Sequence, residues 1–169
     1  MALDLRIGLV DGDDDIRFGR RQIIDSQADL KVVLEDSSVE SSYERVPEAL
    51  IDVLVIDHRL RGGDGITLAT KLINKYLADD SKIPAIVMTG SYFSEELKLA
   101  SMRAGATDLV TQDQRPESLL RAIRASATKQ DLPNYGVFDD KRVFAIGKPQ
   151  GPLVFRGRPP QHQKKSTFF

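Results

Sequence analysis

The chain has no cysteine, no tryptophan and only two histidines. Without cysteine there is no disulfide frame and no thiolate metal site, a composition that suits a reducing compartment. His58 and His162 have no ligand partner at metal-binding spacing, so a histidine-built metal centre is excluded and both read as surface residues. No apolar run approaches the roughly 20 residues needed to cross a bilayer, and the first residues lack a basic-then-apolar signal pattern. The expectation is a soluble, cytoplasmic protein with no membrane partner. At 169 residues the chain can bury a core without metal or disulfide staples.

Net charge is −1 but unevenly spread. After Gln130 there are seven Lys/Arg against three Asp, whereas the preceding 130 residues hold 17 basic and 22 acidic side chains. Five of the eight prolines and five of the seven phenylalanines also follow Gln130. This break divides the chain into a globular domain, 1–130, and a basic, Pro/Phe-containing extension, 131–169.

Val53-Leu54-Val55-Ile56-Asp57 is an unbroken apolar run closed by one carboxylate and followed by a glycine-rich stop at Gly62-Gly63-Asp64-Gly65. Such a run, lacking in/out alternation, reads as a strand buried on both faces. Further strands are expected over 5–10, 31–35, 83–88 and 107–111. Helices are expected after Asp11-Gly12-Asp13-Asp14-Asp15, where an aspartate can cap the first turn, and over 42–50. Further helices are expected after Gly65, over 95–104 with Gly105 as its stop, and from Pro116. Strands alternating with helices predict an α/β fold with a five-stranded parallel sheet.

In such sheets chemistry gathers beyond the carboxyl ends of the strands. Those ends present Asp11, Asp57, Thr89 and Gln112. Any one aspartate in such a place is commonly a turn cap. Four aligned ends point instead to a shared site, where clustered carboxylates repel one another and a divalent cation relieves the repulsion. Mg²⁺ binds through one or two carboxylates, water and phosphate, and a hydroxyl such as Thr89 can bond a phosphoryl oxygen. These are the parts of a phosphoryl-acceptor site.

The order of these motifs resembles the receiver domain of bacterial two-component response regulators. The likeness is carried by Leu9-Val10-Asp11 with its acidic loop and Arg17, Val53 to Asp57 with Gly62-Gly63-Asp64-Gly65-Ile66, Pro84 through Gly90, and Gly105-Ala106-Thr107-Asp108. It implies a doubly wound, flavodoxin-like (CheY-like) fold in which Asp57 accepts a phosphoryl group from a sensor histidine kinase or phosphotransfer protein. It also implies Mg²⁺ held by Asp11, Asp57 and the Arg59 backbone carbonyl. The acidic loop, if it folds back, would lend a further carboxylate from Asp13 or Asp14. Output would pass through protein contacts, with a homodimer formed by the faces of 95–104, 107–111 and 116–128. No enzymatic activity is implied.

The sequence departs from that pattern at several positions. Gly12 stands where a second acidic residue is usual, Gln112 where a lysine is usual, Leu109 at an aromatic position and Arg61 at a proline. Gln112 offers a neutral donor in place of a charged one, and charge-assisted bonds are about twice as strong. Two readings stay open: an atypical receiver still phosphorylated at Asp57, and a pseudo-receiver signalling without phosphate. A haloacid-dehalogenase-like phosphatase lacks support, because Asp57-His58-Arg59 is not the Asp-x-Asp pair such enzymes carry.

The extension is too short for a usual winged-helix effector. Residues 143–146 and 153–155 are spaced to pair as a hairpin, and its phenylalanines alternate with Lys141, Arg142, Arg156 and Arg158. Basic residues mixed with aromatics can bind nucleic acid. A denser cluster is usual for that role, so contact with protein is the preferred reading.

Overall fold

The computed structural model describes residues 4–129, together with the backbone of Gly136–Val137 and Val143–Phe144. The elements alternate as β1 (Leu5–Val10), α1 (Asp14–Asp25), β2 (Leu30–Asp36), α2 (Val39–Glu48), β3 (Val53–Asp57), α3 (Gly65–Ala78), β4 (Ala85–Gly90), α4 (Glu95–Arg103), β5 (Ala106–Thr111) and α5 (Pro116–Lys129). The five strands form one parallel sheet in the order β2-β1-β3-β4-β5. The doubly wound architecture expected from the sequence is the one observed.

Every residue of β3 is buried. Its alternate side chains feed two cores, as a two-faced strand requires. Leu54 and Ile56 pack with Val46 of α2 and Leu68 and Leu72 of α3. Val53 and Val55 pack on the other side with Ile24 of α1 and Leu119 and Ile123 of α5. Complete burial of each such aliphatic side chain contributes about 1.5–3 kcal/mol, so β3 is firmly anchored and gives its last residue, Asp57, a fixed position.

The bounds of β4 and α2 differ most from the sequence reading. β4 runs to Gly90 instead of stopping before Thr89, because Thr89 and Gly90 pair with Val110 and Thr111 of β5, and Thr89 also pairs with Asp57. α2 begins at Val39, earlier than expected, because Ser38 caps it by accepting the Ser41 N–H. Pro47 lies in its last turn, where a missing N–H and a fixed φ do little harm to what remains of the helix.

The chain leaves β1 outward to β2 and returns to β3, which places a crevice between the carboxyl ends of β1 and β3. Over it lies a short antiparallel ladder in which Arg59–Leu60 pairs with Gly63–Asp64. Among the described residues no helix is long and apolar enough to cross a membrane. In the extension, Gly136–Val137 pairs antiparallel with Val143–Phe144. The expected partner strand, 153–155, and the aromatic and basic residues around it lie outside the described residues.

Candidate functional site at the strand ends

β1, β3 and β4 deliver Asp11, Asp57 and Thr89 to one place, and all three are buried, at 1%, 2% and 1% exposure. The in-register pairing of Asp57 with Thr89 sets their side chains together, and Thr89 Oγ1 donates to Asp57 Oδ2 at 3.0 Å. The other oxygen, Oδ1, accepts the Arg59 backbone N–H at 3.0 Å. Asp11 Oδ1 accepts the Asp13 N–H at 2.9 Å. Burial pushes the Asp11 carboxyl up to about 6, against the pull of that N–H and of a nearby guanidinium.

That guanidinium belongs to Arg20, a residue the sequence reading passed over. Its Nη1 donates to Asp11 Oδ2 at 2.5 Å and to Asp57 Oδ2 at 3.1 Å. Arg20 is itself 9% exposed. A signal was present: Ile16, Arg20 and Ile24 recur at four-residue spacing, which puts the arginine in the middle of the apolar stripe of α1.

Asp13 is the N-cap of α1; its Oδ1 accepts the N–H groups of Asp15 and Ile16, each at 3.0 Å. Arg17 bonds the Asp11 carbonyl and the Asp14 carboxylate, both at 2.7 Å. Arg61 reaches the same Asp14 at 3.0 Å. Gln112 shares the site: it lines a cavity of about 300 Å³ with Asp11, Asp13, Asp57, Arg59 and Arg61. A second cavity, of about 380 Å³, lies against Arg20, Thr89 and Gln112 on the side of α1 and α5. The larger cavity of about 850 Å³ between α2 and α3 contains none of Asp11, Asp57, Thr89 or Gln112, so it is not the chemical centre. Leu109 packs against the core. His58, expected at the surface, is half-buried, and its N–H donates to the Thr89 carbonyl at 2.7 Å.

Carboxylate, hydroxyl and amide gathered at the ends of a 2-1-3-4-5 sheet define a receiver-type signalling domain. The response regulator receiver domain matches residues 7–124, and the chain belongs to that family. It is 33% identical to the DNA-binding transcriptional activator DevR/DosR of Mycobacterium tuberculosis, over 71% of this chain and 53% of that protein. Among solved structures, it superposes on a two-component response regulator of the LuxR family from Aurantimonas sp. SI85-9A1. The TM-score is 0.68 at 27% identity, covering 74% of this chain and 86% of that one. The response regulator domain of Thermotoga maritima CheB gives a TM-score of 0.66 at 24% identity, covering 74% and 97%, and supports the fold. The chain spans about half the length of the curated relatives it matches.

Receiver domains generally bind Mg²⁺, and the residues present fit that ion poorly. One oxygen of each expected carboxylate ligand, Asp11 Oδ2 and Asp57 Oδ2, already accepts from Arg20 Nη1, which brings a positive charge into the site. Asp13, expected to lend a third carboxylate, is committed as a helix cap. Gly12 cannot be supplemented in place, since a Cβ there would meet the Arg59 carbonyl oxygen at 2.9 Å. Among the described residues no group of three or more His, Cys, Asp or Glu side chains could hold a metal ion.

Proposed function

We propose that this chain is an atypical receiver of a two-component system in which Asp57 is the phosphoacceptor and the output is a protein contact. One observation carries the reading: Asp57 ends a fully buried strand, in a cavity open at the strand ends, with the Thr89 hydroxyl already on its carboxylate. The donor would be a phosphohistidine of a sensor kinase or phosphotransfer protein. The phosphorus–nitrogen bond breaks, an Asp57 oxygen forms the new bond to phosphorus, and the imidazole leaves. Asp57 needs no base, since a carboxylate attacks without losing a proton. Thr89 and Gln112 would donate to the phosphoryl oxygens.

The output face would be α4, β5 and α5. Leu99 and Met102 are exposed on α4, with Tyr92 just before it, and they supply apolar area for a second copy or another protein. DNA binding, stated in the name of DevR/DosR, stays a subordinate reading here, because the basic extension lies outside the described residues. A cytoplasmic location goes with the proposed kinase partner.

A pseudo-receiver that ignores phosphate is the second reading. It is favoured by the hydrogen bonds that both Asp57 oxygens already accept. Incubation with a small phosphodonor followed by intact-mass measurement separates the two. A gain of one phosphoryl group that disappears in Asp57→Asn supports the acceptor role, and no gain with any donor selects the pseudo-receiver.

A further inference from the structure

We propose that Arg20 is the resident cation of this pocket and stands where the family's divalent ion would sit, so that the wild-type site does not take up Mg²⁺. One nitrogen, Nη1, bridges the carboxylates from β1 and β3. Every carboxylate oxygen of the pair already has a donor: Asp11 Oδ1 from the Asp13 N–H, Asp57 Oδ1 from the Arg59 N–H, and both Oδ2 atoms from Arg20. Each Oδ1 keeps a second lone pair, but a Mg²⁺ at about 2.0–2.1 Å from it would lie beside the guanidinium. Like charge opposes that approach, and relieving it requires Arg20 to leave both carboxylates.

Expulsion has nowhere convenient to go. Arg20 comes from the sheet-facing stripe of α1, between half-buried Ile16 and fully buried Ile24. A guanidinium there survives burial only while it is paired, since an unpaired buried charge is strongly disfavoured. Asp14, in the loop after β1, is already paired with both Arg17 and Arg61. The usual route to a stronger metal site is also closed, because Gly12 has no room for a side chain against the Arg59 carbonyl. Arg20 therefore does one task that metal does elsewhere, neutralising part of the charge on two buried carboxylates. It also places beside Asp57 a positive charge that Gln112 does not supply.

The inference stands apart from whether Asp57 accepts phosphate, and its test uses no phosphodonor. Mg²⁺, and separately Mn²⁺, is titrated calorimetrically into the full chain and into Arg20→Met, with melting temperatures taken in chelator and in millimolar Mg²⁺. The expected result is no binding heat and an unmoved melting temperature for wild type. Arg20→Met should show saturable binding and a melting temperature raised by about 5 °C. Saturable wild-type binding with a raised melting temperature overturns the proposal. So does an Arg20→Met protein that folds and still binds nothing, because the arginine would then not be what excludes the ion. If Arg20→Met folds only when metal is added, that supports the proposal. If it does not fold at all, Arg20→Gln, which keeps polar contacts and loses the charge, is read against the same two outcomes.

Discussion

Removing the Arg20 charge should be among the most destabilising single changes available at this site. Asp11 and Asp57 are 1% and 2% exposed, so in Arg20→Met two carboxylates stay out of water with no counter-charge. Breaking a buried pair in this way typically costs 3–5 kcal/mol, roughly, against a total stability of about 5–15 kcal/mol for an ordinary domain. Methionine keeps most of the aliphatic stem, so lost packing is a minor part. Asp57→Asn should cost less, about 1–2 kcal/mol, because the amide oxygen can still accept and Arg20 retains Asp11. In the double variant one offending charge is gone, and the losses should fall short of their sum by about 1–3 kcal/mol. Urea unfolding in the presence of chelator, followed by circular dichroism, measures this as a lowered midpoint at unchanged slope. Strictly additive losses, or an Arg20→Met cost below about 1 kcal/mol, would show that the bridge does not hold the pocket together.

Four further outcomes follow from the same geometry. Asp11 is raised from 3.8 to about 6 by burial, so the folded state binds its proton more tightly than the unfolded state does. Stability should therefore fall by at most about 3 kcal/mol between pH 4 and 6, and Asp11→Asn should flatten that slope in pH-dependent urea unfolding. Asp36 acts in the opposite sense: burial would raise its carboxyl, but donors on Ser41, Ser37 and Arg45 hold it below its ordinary value. Its stabilisation is present above that value and disappears in more acidic solution, as Ser41→Ala should reveal by weakening the acid-side loss. Gly12→Asp restores the family's usual residue, yet its Cβ meets backbone at 2.9 Å; a loss of roughly 1–3 kcal/mol is expected in place of a gained metal site. Gln112→Lys should lengthen the lifetime of any phosphoryl group on Asp57, measured as mass decay after donor removal, because a charge-assisted bond replaces a neutral one.

Much of the fold could be read from local pattern. β1 and β3 were placed to the residue because each is an apolar run cut off by an aspartate. The convergence of Asp11, Asp57 and Thr89 followed from parallel connectivity alone. β4 was cut short because Thr89-Gly90-Ser91 looks like a turn in sequence; its continuation depends on pairing with β5, a partner some twenty residues away. Ser38 was lost in a polar stretch, although its cap is a local device. Arg20 was missed for a different reason. A charged residue in an amphipathic helix ordinarily belongs to the solvent face, and its partners lie 9 and 37 positions away. Its place between Ile16 and Ile24 was the available clue, and it becomes informative once the helix is known to lie against the carboxyl ends of β1 and β3.

The Arg20 guanidinium is locked between two strand-end carboxylates, Asp11 and Asp57. Side-chain N–H resonances of Arg20, observed in protein carrying isotope-labelled arginine, report this directly. The expected spectrum shows resolved, exchange-protected Arg20 signals that shift or broaden in both Asp11→Asn and Asp57→Asn. Signals averaged with water like those of surface arginines, and indifferent to both substitutions, would contradict it.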